Sequence, residues 1–315
     1  MTLIRRHFIK NTVAASCALP FLNMCDLTKS KEQESDKLDI SIFSKHLQFL
    51  DYKETGQMAA ELGFNGVDLT VRPKGHVLPE NVKIDLPKAV NDIKAGGSTC
   101  RMMTTSIESV DKPYDVDIIK TAGQNGITYY RTNWYKYVEG LTMPQSIKKY
   151  QDQIYHLGEL SKQHNIVGSY QNHAGTKVGA SYWEIHQLLE KVNPKYFGVQ
   201  YDIRHATVDS AYSWTNGLEL LHKQIKVIVL KDFKWGKVDN QLKAINVPVG
   251  EGVVDFDKYF KLLKAYGLNP PVSLHLEYPL GGAEKGKYDI SVDRKVVYDA
   301  MTKDLNAIRK LWKNA

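Results

Sequence analysis

Two stretches set chemically capable side chains two residues apart: "GVQYDIRHA" at 198–206 and "VSLHLEYP" at 272–279. Alternate side chains of an extended strand share a face. In the first stretch Gln200 and Asp202 therefore point one way, with Arg204 and His205 just beyond. In the second, Ser273, His275 and Glu277 oppose Val272, Leu274 and Leu276. Three further stretches repeat the pattern. "GVDLTVRPKGH" (66–76) offers Asp68, Thr70 and Arg72 on one face with His76 in the loop after it. "GSYQNHAG" (168–175) offers Gln171 and His173. "VIVLKDF" (227–233) offers Val229 and Lys231, with Asp232 on the opposite face in a structural role. A further stretch, "YYRTNW" (129–134), adds Arg131 and Asn133. Any one of these residues has an ordinary reading as a cap or a solvated loop group. Together, two carboxylates, a lysine, several histidines and two glutamines are costly to bury near one axis unless they pair or bind something. The chemistry such a set offers is proton transfer and recognition of a polar ligand.

The elements that must position them recur from residue 37 onward. An amphipathic stretch ends at a Gly or Asn turn and a short apolar or β-branched run follows, as in "MAAELGFNGVDLTV" and "LLKAYGLNPPVSLHLE". Eight such runs begin near residues 38, 66, 98, 127, 166, 197, 226 and 272. Strands alternating with helices predict a parallel sheet, and eight units in one chain predict a single (β/α)8 TIM barrel over 37–315, whose functional groups sit at the C-terminal ends of the strands. An open doubly wound sheet is the competing architecture, but no Gly-rich dinucleotide fingerprint follows the first strand, so no nucleotide cofactor is expected. "VPVGEGVVDF" (247–256) reads as a turn in which Asp255 caps the next helix.

The first 25 residues read as an export signal of the twin-arginine type, on Arg5, Arg6, Phe8 and Lys10 ahead of a short apolar run. Leu22 and Cys25 allow a lipidated first mature residue, so the expected location is periplasmic or membrane-anchored through Cys25. Residues 26–36 are polar and charged and read as a tether. The signal holds three basic residues and no acid, which leaves +4 of the chain's +7. That mild charge, without a Lys/Arg block, gives no footprint for nucleic acid. Of the three cysteines only Cys100 remains in the domain, where it is expected in the core.

With these residues laid out, the chain resembles the xylose-isomerase-like TIM-barrel superfamily, and within it the exported bacterial sugar phosphate isomerase/epimerase branch. The resemblance runs from about residue 38 to 312. It is carried by "GFNGVDLTVRPKGHV", "YQNHAG", "GVQYDIRHATVDS", "IVLKDFKW", "VPVGEGVVDFDKYF" and "SLHLEYPLGGAEKG". In metal-dependent members a Glu, an Asp, a His and a Glu from strands 5 to 8 hold a divalent ion. Here those positions are Gln171, Asp202, Val229 and Glu277, so two of the four depart from the pattern. The resemblance implies Mn, Mg or Zn on Asp202, Glu277 and Gln171, with His173 and His275 as substitutes. It equally implies that Lys231 takes over the ion's charge. Asp202 or Glu277 is then the expected base, one pKa being raised by the other carboxylate, with His173 or His205 as acid. Arg72, His76, Gln171, Gln200, Arg204 and His275 are expected to bind substrate. The implied activity is sugar isomerisation or epimerisation through proton abstraction next to a carbonyl. β-Elimination from, or hydration of, a keto sugar or glycoside is the alternative, and non-catalytic sugar binding a third reading. The type 2 apurinic endonucleases of the superfamily are excluded by charge and by the missing ligands.

Overall fold

The computed structural model describes residues 37–315. The expected export segment 1–25, tether 26–36 and lipidation site Cys25 all lie outside the described residues. Among the described residues ten strands follow one another: β1 (Ile40–Phe43), β2 (Gly66–Val71), β3 (Met102–Thr105), β4 (Tyr129–Arg131), β5 (Val167–Gln171), β6 (Phe197–Asp202), β7 (Ile225–Leu230), β8 (Asp232–Val238), β9 (Gln241–Val247) and β10 (Val272–Leu274). Eight of them, β1 to β7 and β10, form a closed parallel barrel. It closes where β1 meets β10, with Ile40 opposite Val272. The expected single (β/α)8 barrel is the fold observed.

Between the strands run α1 (Tyr52–Glu61), α2 (Val82–Ala95), α3 (Pro113–Gln124), α4 (Met143–Gln163), α5 (Tyr182–Leu188), α6 (Ile203–Ser210), α7 (Trp214–Leu221), α8 (Phe256–Ala265) and α9 (Arg294–Asn314). Their starts are written in the sequence. Asp51 and Glu54 cap α1 reciprocally, and Thr142 and Gln145 do the same for α4. Asp255 caps α8 as expected, accepting from the Lys258 N–H at 3.0 Å. Each such cap stabilises by about 1 kcal/mol. The main core lies between the outward strand faces and the helices, with Ile40, Ile42, Leu69, Ile228 and Leu274 contributing from the strands. Cys100 is buried in it. Gly198 is required by a close approach, because a Cβ there would lie 2.2 Å from the Gln224 carbonyl oxygen, beside the register shift between β6 and β7.

One element departs from the expected alternation. After β7 the chain makes an antiparallel hairpin, β8 and β9, before reaching α8. Asp239 and Asn240 turn it with φ of 53° and 60°, the left-handed pair that a tight hairpin turn demands. Asp232 anchors its base. The carboxylate accepts N–H bonds from Phe233, Gly250, Gly252 and Val254 at 2.8 to 3.2 Å, which confirms its structural placement.

Candidate active site

The parity read from the sequence carries into three dimensions. Ser273, His275 and Glu277 face the barrel interior, and the groups ending β5 to β7 meet them at the C-terminal mouth. Lys231, just past β7 and 4% exposed, is the hub. Its Nζ lies 3.1 Å from Asp202 Oδ2, 3.1 Å from Glu277 Oε2 and 3.0 Å from His205 Nε2. Glu277 uses its other oxygen on Lys45, at 2.8 Å. One carboxylate thus holds two ammonium groups at the edge of a cleft of about 180 Å³, whose walls include Phe43, Arg72, Arg131, Trp134, Gln171 and His173.

The electrostatics correct one expectation. Burial alone would push the Glu277 carboxyl up, but Lys231 and Lys45 overcome it and hold the group well below the usual carboxylate range. The two carboxylates do not meet directly; an ammonium stands between them. Asp202 is fully buried and already saturated. Oδ2 takes Lys231 and the Gln171 amide at 2.8 Å, while Oδ1 accepts the His205 N–H at 3.0 Å and so caps α6. Glu277, held low in this way, lacks the raised affinity for a proton that a base at neutral pH needs.

The histidines also change role. Burial, reinforced by Lys231, lowers His173 to about 4, so its ring is neutral. Its Nδ1 lies 2.9 Å from the Ala174 carbonyl and must carry the proton, which leaves Nε2 bare. His205 is held well below its ordinary value by burial and Lys231. It accepts from Lys231 and lies tilted against His173, ring centroids 3.9 Å apart. Both rings are therefore neutral, and neither carries the imidazolium proton that the expected acid would give. His275 is neutral too, lowered by burial to about 4. Its ring stacks on Phe43 at 4.2 Å and its Nε2 meets Ser273 Oγ at 3.1 Å. Ser273 in turn donates to Asp68 at 2.5 Å. The His275 Nδ1, 3.9 Å from Glu277, is too far for a hydrogen bond and stays unpartnered among the described residues.

Three residues expected at the ligand stand elsewhere. His76 turns to Ser44 and Thr70, with Nδ1 at 3.1 and 3.3 Å from their hydroxyls. Arg204 reaches the Ala244 carbonyl of the hairpin and lies over the Phe233 ring. Gln200 is buried inside the barrel, one step below Asp202. Arg72, Gln171 and His275 do line the cleft. The sequence reading missed Phe43, Lys45 and Trp134, and it noted Arg131 without assigning it. Lys45 lies in a 3-10 turn directly after β1, where strand alternation gives no guide. Burial lowers its pKa, against the pull of Glu277. Arg131 is pushed down to about 9 by burial and the neighbouring Arg72, and its guanidinium lies 4.2 Å from the Trp134 ring centre.

Comparison with known proteins gives the chain its family. The family described as xylose isomerase-like TIM barrel matches residues 57–294, and the chain belongs to that family. Inosose dehydratase of Bacillus cereus (strain AH820) is 32% identical over 130 residues. That match covers 36% of this chain and 42% of the relative, so the chain spans under half the length of the curated relatives it matches. Among solved structures, the 3-keto-D-glucoside 4-epimerase of E. coli superimposes with a TM-score of 0.62 at 12% identity, covering 86% of this chain and all of that one. The IOLI protein with a bound zinc atom gives 0.66 at 14% identity, covering 87% and 99%. These structural likenesses establish the shared barrel.

Solved relatives carry zinc or magnesium, and the donor set here can be tested against such an ion. Among the described residues no three His, Cys, Asp or Glu side chains gather to hold one. Val229 has no donor. Gln171 turns its amide N–H to Asp202, which leaves only an uncharged Oε1 to offer. The space between Asp202 and Glu277, where an ion would need oxygens at about 2.0–2.2 Å, is taken by the Lys231 ammonium. The residues present do not fit a divalent ion, and they supply a fixed positive charge in its stead.

Proposed function

We propose that the barrel mouth is the active site of a sugar isomerase or epimerase acting on a keto sugar or keto glycoside. The observation that carries the reading is Lys231, an ammonium locked between two carboxylates at the C-terminal end of a barrel strand. A carbonyl oxygen bound against Lys231 and Lys45 would meet two positive charges in a mostly buried site. Charge that develops there as an enolate forms would be stabilised without reorganisation. The bare Nε2 of His173 takes the proton from the carbon beside the carbonyl; it is a weak base, and it serves only because the carbonyl held against Lys231 has already made that C–H acidic. Return of a proton to the opposite face yields the epimer. Arg72, Arg131 and the faces of Phe43 and Trp134 hold the ring. A substrate that already bears a keto group has an acidic neighbouring C–H, which suits a site with ammonium groups in place of a metal ion.

The inosose dehydratase relatives favour a second outcome from the same intermediate. The enolate can expel a β-hydroxyl, which leaves as water with a proton from Lys45, whose lowered pKa makes it a willing donor. Both outcomes share the first step and part at the second. With residues 1–25 read as an export signal, the substrate is a free sugar or glycoside met outside the cytoplasm. Retention of precursor on replacing Arg5 and Arg6 with Lys tests that part.

The deciding experiment is NMR in D₂O with a 3-keto glucoside. Deuterium should enter beside the carbonyl and persist through EDTA treatment. Retained substrate skeleton marks epimerisation, and an alkene marks elimination. Exchange abolished by EDTA and restored by zinc would overturn the role given to Lys231. No exchange, with a sugar still raising Tm, would leave a binding protein.

A further inference from the structure

Beside the mouth lies a second, larger cleft of about 560 Å³, and Trp134 is the wall the two share. Arg131 of the inner cleft and Lys177 of the outer one both lie against its ring, 4.2 and 4.6 Å from the centre. The outer cleft has an aromatic floor. Tyr135 and Tyr150 stack face to face with centroids 4.1 Å apart and planes 4° from parallel. Both hydroxyls are tied to backbone carbonyls, Tyr135 to Glu108 at 2.7 Å and Tyr150 to Lys136 at 2.6 Å, so the floor is fixed.

Its charge is one-sided. Four lysines line it, 112, 136, 149 and 177, against the single acid Glu108. Glu108 is already engaged, with Lys112 on one oxygen and the Asn133 amide at 2.7 Å on the other. Lys136, Lys149 and Lys177 have no carboxylate within 4 Å among the described residues. Two further groups of the lining, Trp134 Nε1 and Gln153 Oε1, make no hydrogen bond. A cleft lined by lysines and fixed aromatic side chains, sharing Trp134 with a sugar-sized cleft, is the complement of a sugar ring that carries a negative charge. The volume falls in the range of small-ligand sites.

We propose that the outer cleft is a subsite for an anionic sugar unit of the substrate, one bearing a carboxylate or a sulfate, whose neighbour in the same glycoside occupies the barrel mouth. The assignment rests on the function proposed above and names its substrate class: an acidic disaccharide or an acidic glycoside rather than a free neutral hexose. Trp134 stands at the junction between the two rings. Lys136 and Lys149 sit on the outer side, beyond reach of the reacting carbon.

The test uses the whole protein and two readouts. Calorimetric titration compares cellobiose, cellobiouronic acid and a sulfated cellobiose. The two acidic ligands separate carboxylate from sulfate as the preferred anion. At least one should bind about tenfold tighter than cellobiose at low salt, and the margin should shrink toward nothing in the Lys136→Gln/Lys149→Gln variant and in high salt. Binding of cellobiose should not change in that variant. Equal binding of all three ligands, or an anionic preference that survives the double substitution, would overturn the subsite. The second readout is deuterium exchange into 3-keto disaccharides with and without the acidic unit, where the variant should raise KM for the acidic substrate alone. If no keto substrate exchanges, the reading of the mouth fails, and the titration with unoxidised disaccharides still decides the subsite.

Discussion

Glu277 and Asp68 are two carboxylates of one barrel with opposite electrostatic fates. Glu277 lies at the mouth between two ammonium groups and is held well below the usual range despite its burial. Asp68 is 1% exposed inside the barrel and meets only hydroxyls, from Ser273 at 2.5 Å and Thr104 at 3.1 Å. Burial pushes it up to about 6, with Ser273 and Thr104 only partly restraining the rise. Desolvation is common to both, and the difference is the cation. A hydroxyl dipole stabilises a buried carboxylate too little to offset lost water, whereas two lysines at contact distance do more than offset it. The mouth is therefore permanently charged, while the layer beneath it can exchange its charge near neutrality.

The sharpest way to break the contrast is to remove the cation. Lys231→Met should slow proton exchange about 10²–10³-fold. It should also destabilise the fold by about 3 kcal/mol, since Asp202 and Glu277 lose their shared partner. Exchange kinetics and chemical denaturation read the two effects separately, and a variant with wild-type turnover would remove Lys231 from the chemistry.

Glu277→Gln keeps the shape and deletes the charge. Because Glu277 is what raises the Lys45 pKa against burial, its loss should lower Lys45 further and cut turnover about 10–100-fold. The pH–rate profile should lose activity at a lower pH on its alkaline side than in the parent protein. A full-rate Gln variant would mean that Glu277 only braces the barrel.

Asp68→Asn addresses the other half of the comparison. The folded-state pKa of about 6 exceeds the ordinary 3.8, so the folded state holds this proton more tightly than the unfolded one. The contribution is present in full below about pH 4 and is lost as pH rises through 6. It amounts to about 3 kcal/mol. The Asn variant should lack this part of the pH dependence, and melting curves between pH 4 and 8 would show it.

The smallest effects separate Arg72 from His76. Arg72→Ala should raise KM about fivefold with little change in kcat, as expected for a residue that holds substrate. His76→Gln should leave KM alone and cost about 1 kcal/mol of stability through its bonds to Ser44 and Thr70. A KM effect at position 76 would return it to the site.

The strands and their inward parity were legible because parallel barrel strands are short, apolar and bounded by Gly or Asn turns. Ser273, His275 and Glu277 fell on the predicted face, and Asp232 fell on the other. Parity ends where the strand ends. His76 and Arg204 lie beyond that point, and their directions depend on loop and hairpin partners far away in sequence. Lys45 and Trp134 were hidden for the same reason. The sense of the Glu277 shift needed the position of an ammonium set 232 residues away in the chain, which no local pattern carries. The β8–β9 hairpin lacks a Gly at its turn, using Asp239–Asn240 instead, and so gave a weak signal.

Asp232 has a meaning beyond anchoring a hairpin. It is the next residue after Lys231, on the outward side of the chain, and three of its four N–H bonds staple the backbone to the turn at 250–254. A lysine side chain has four rotatable bonds and ordinarily drifts in water. Here its root is clamped from outside the barrel and its tip from inside. The work of bringing a charge to the reacting oxygen is thereby done once, when the chain folds, and is not repeated at each turnover.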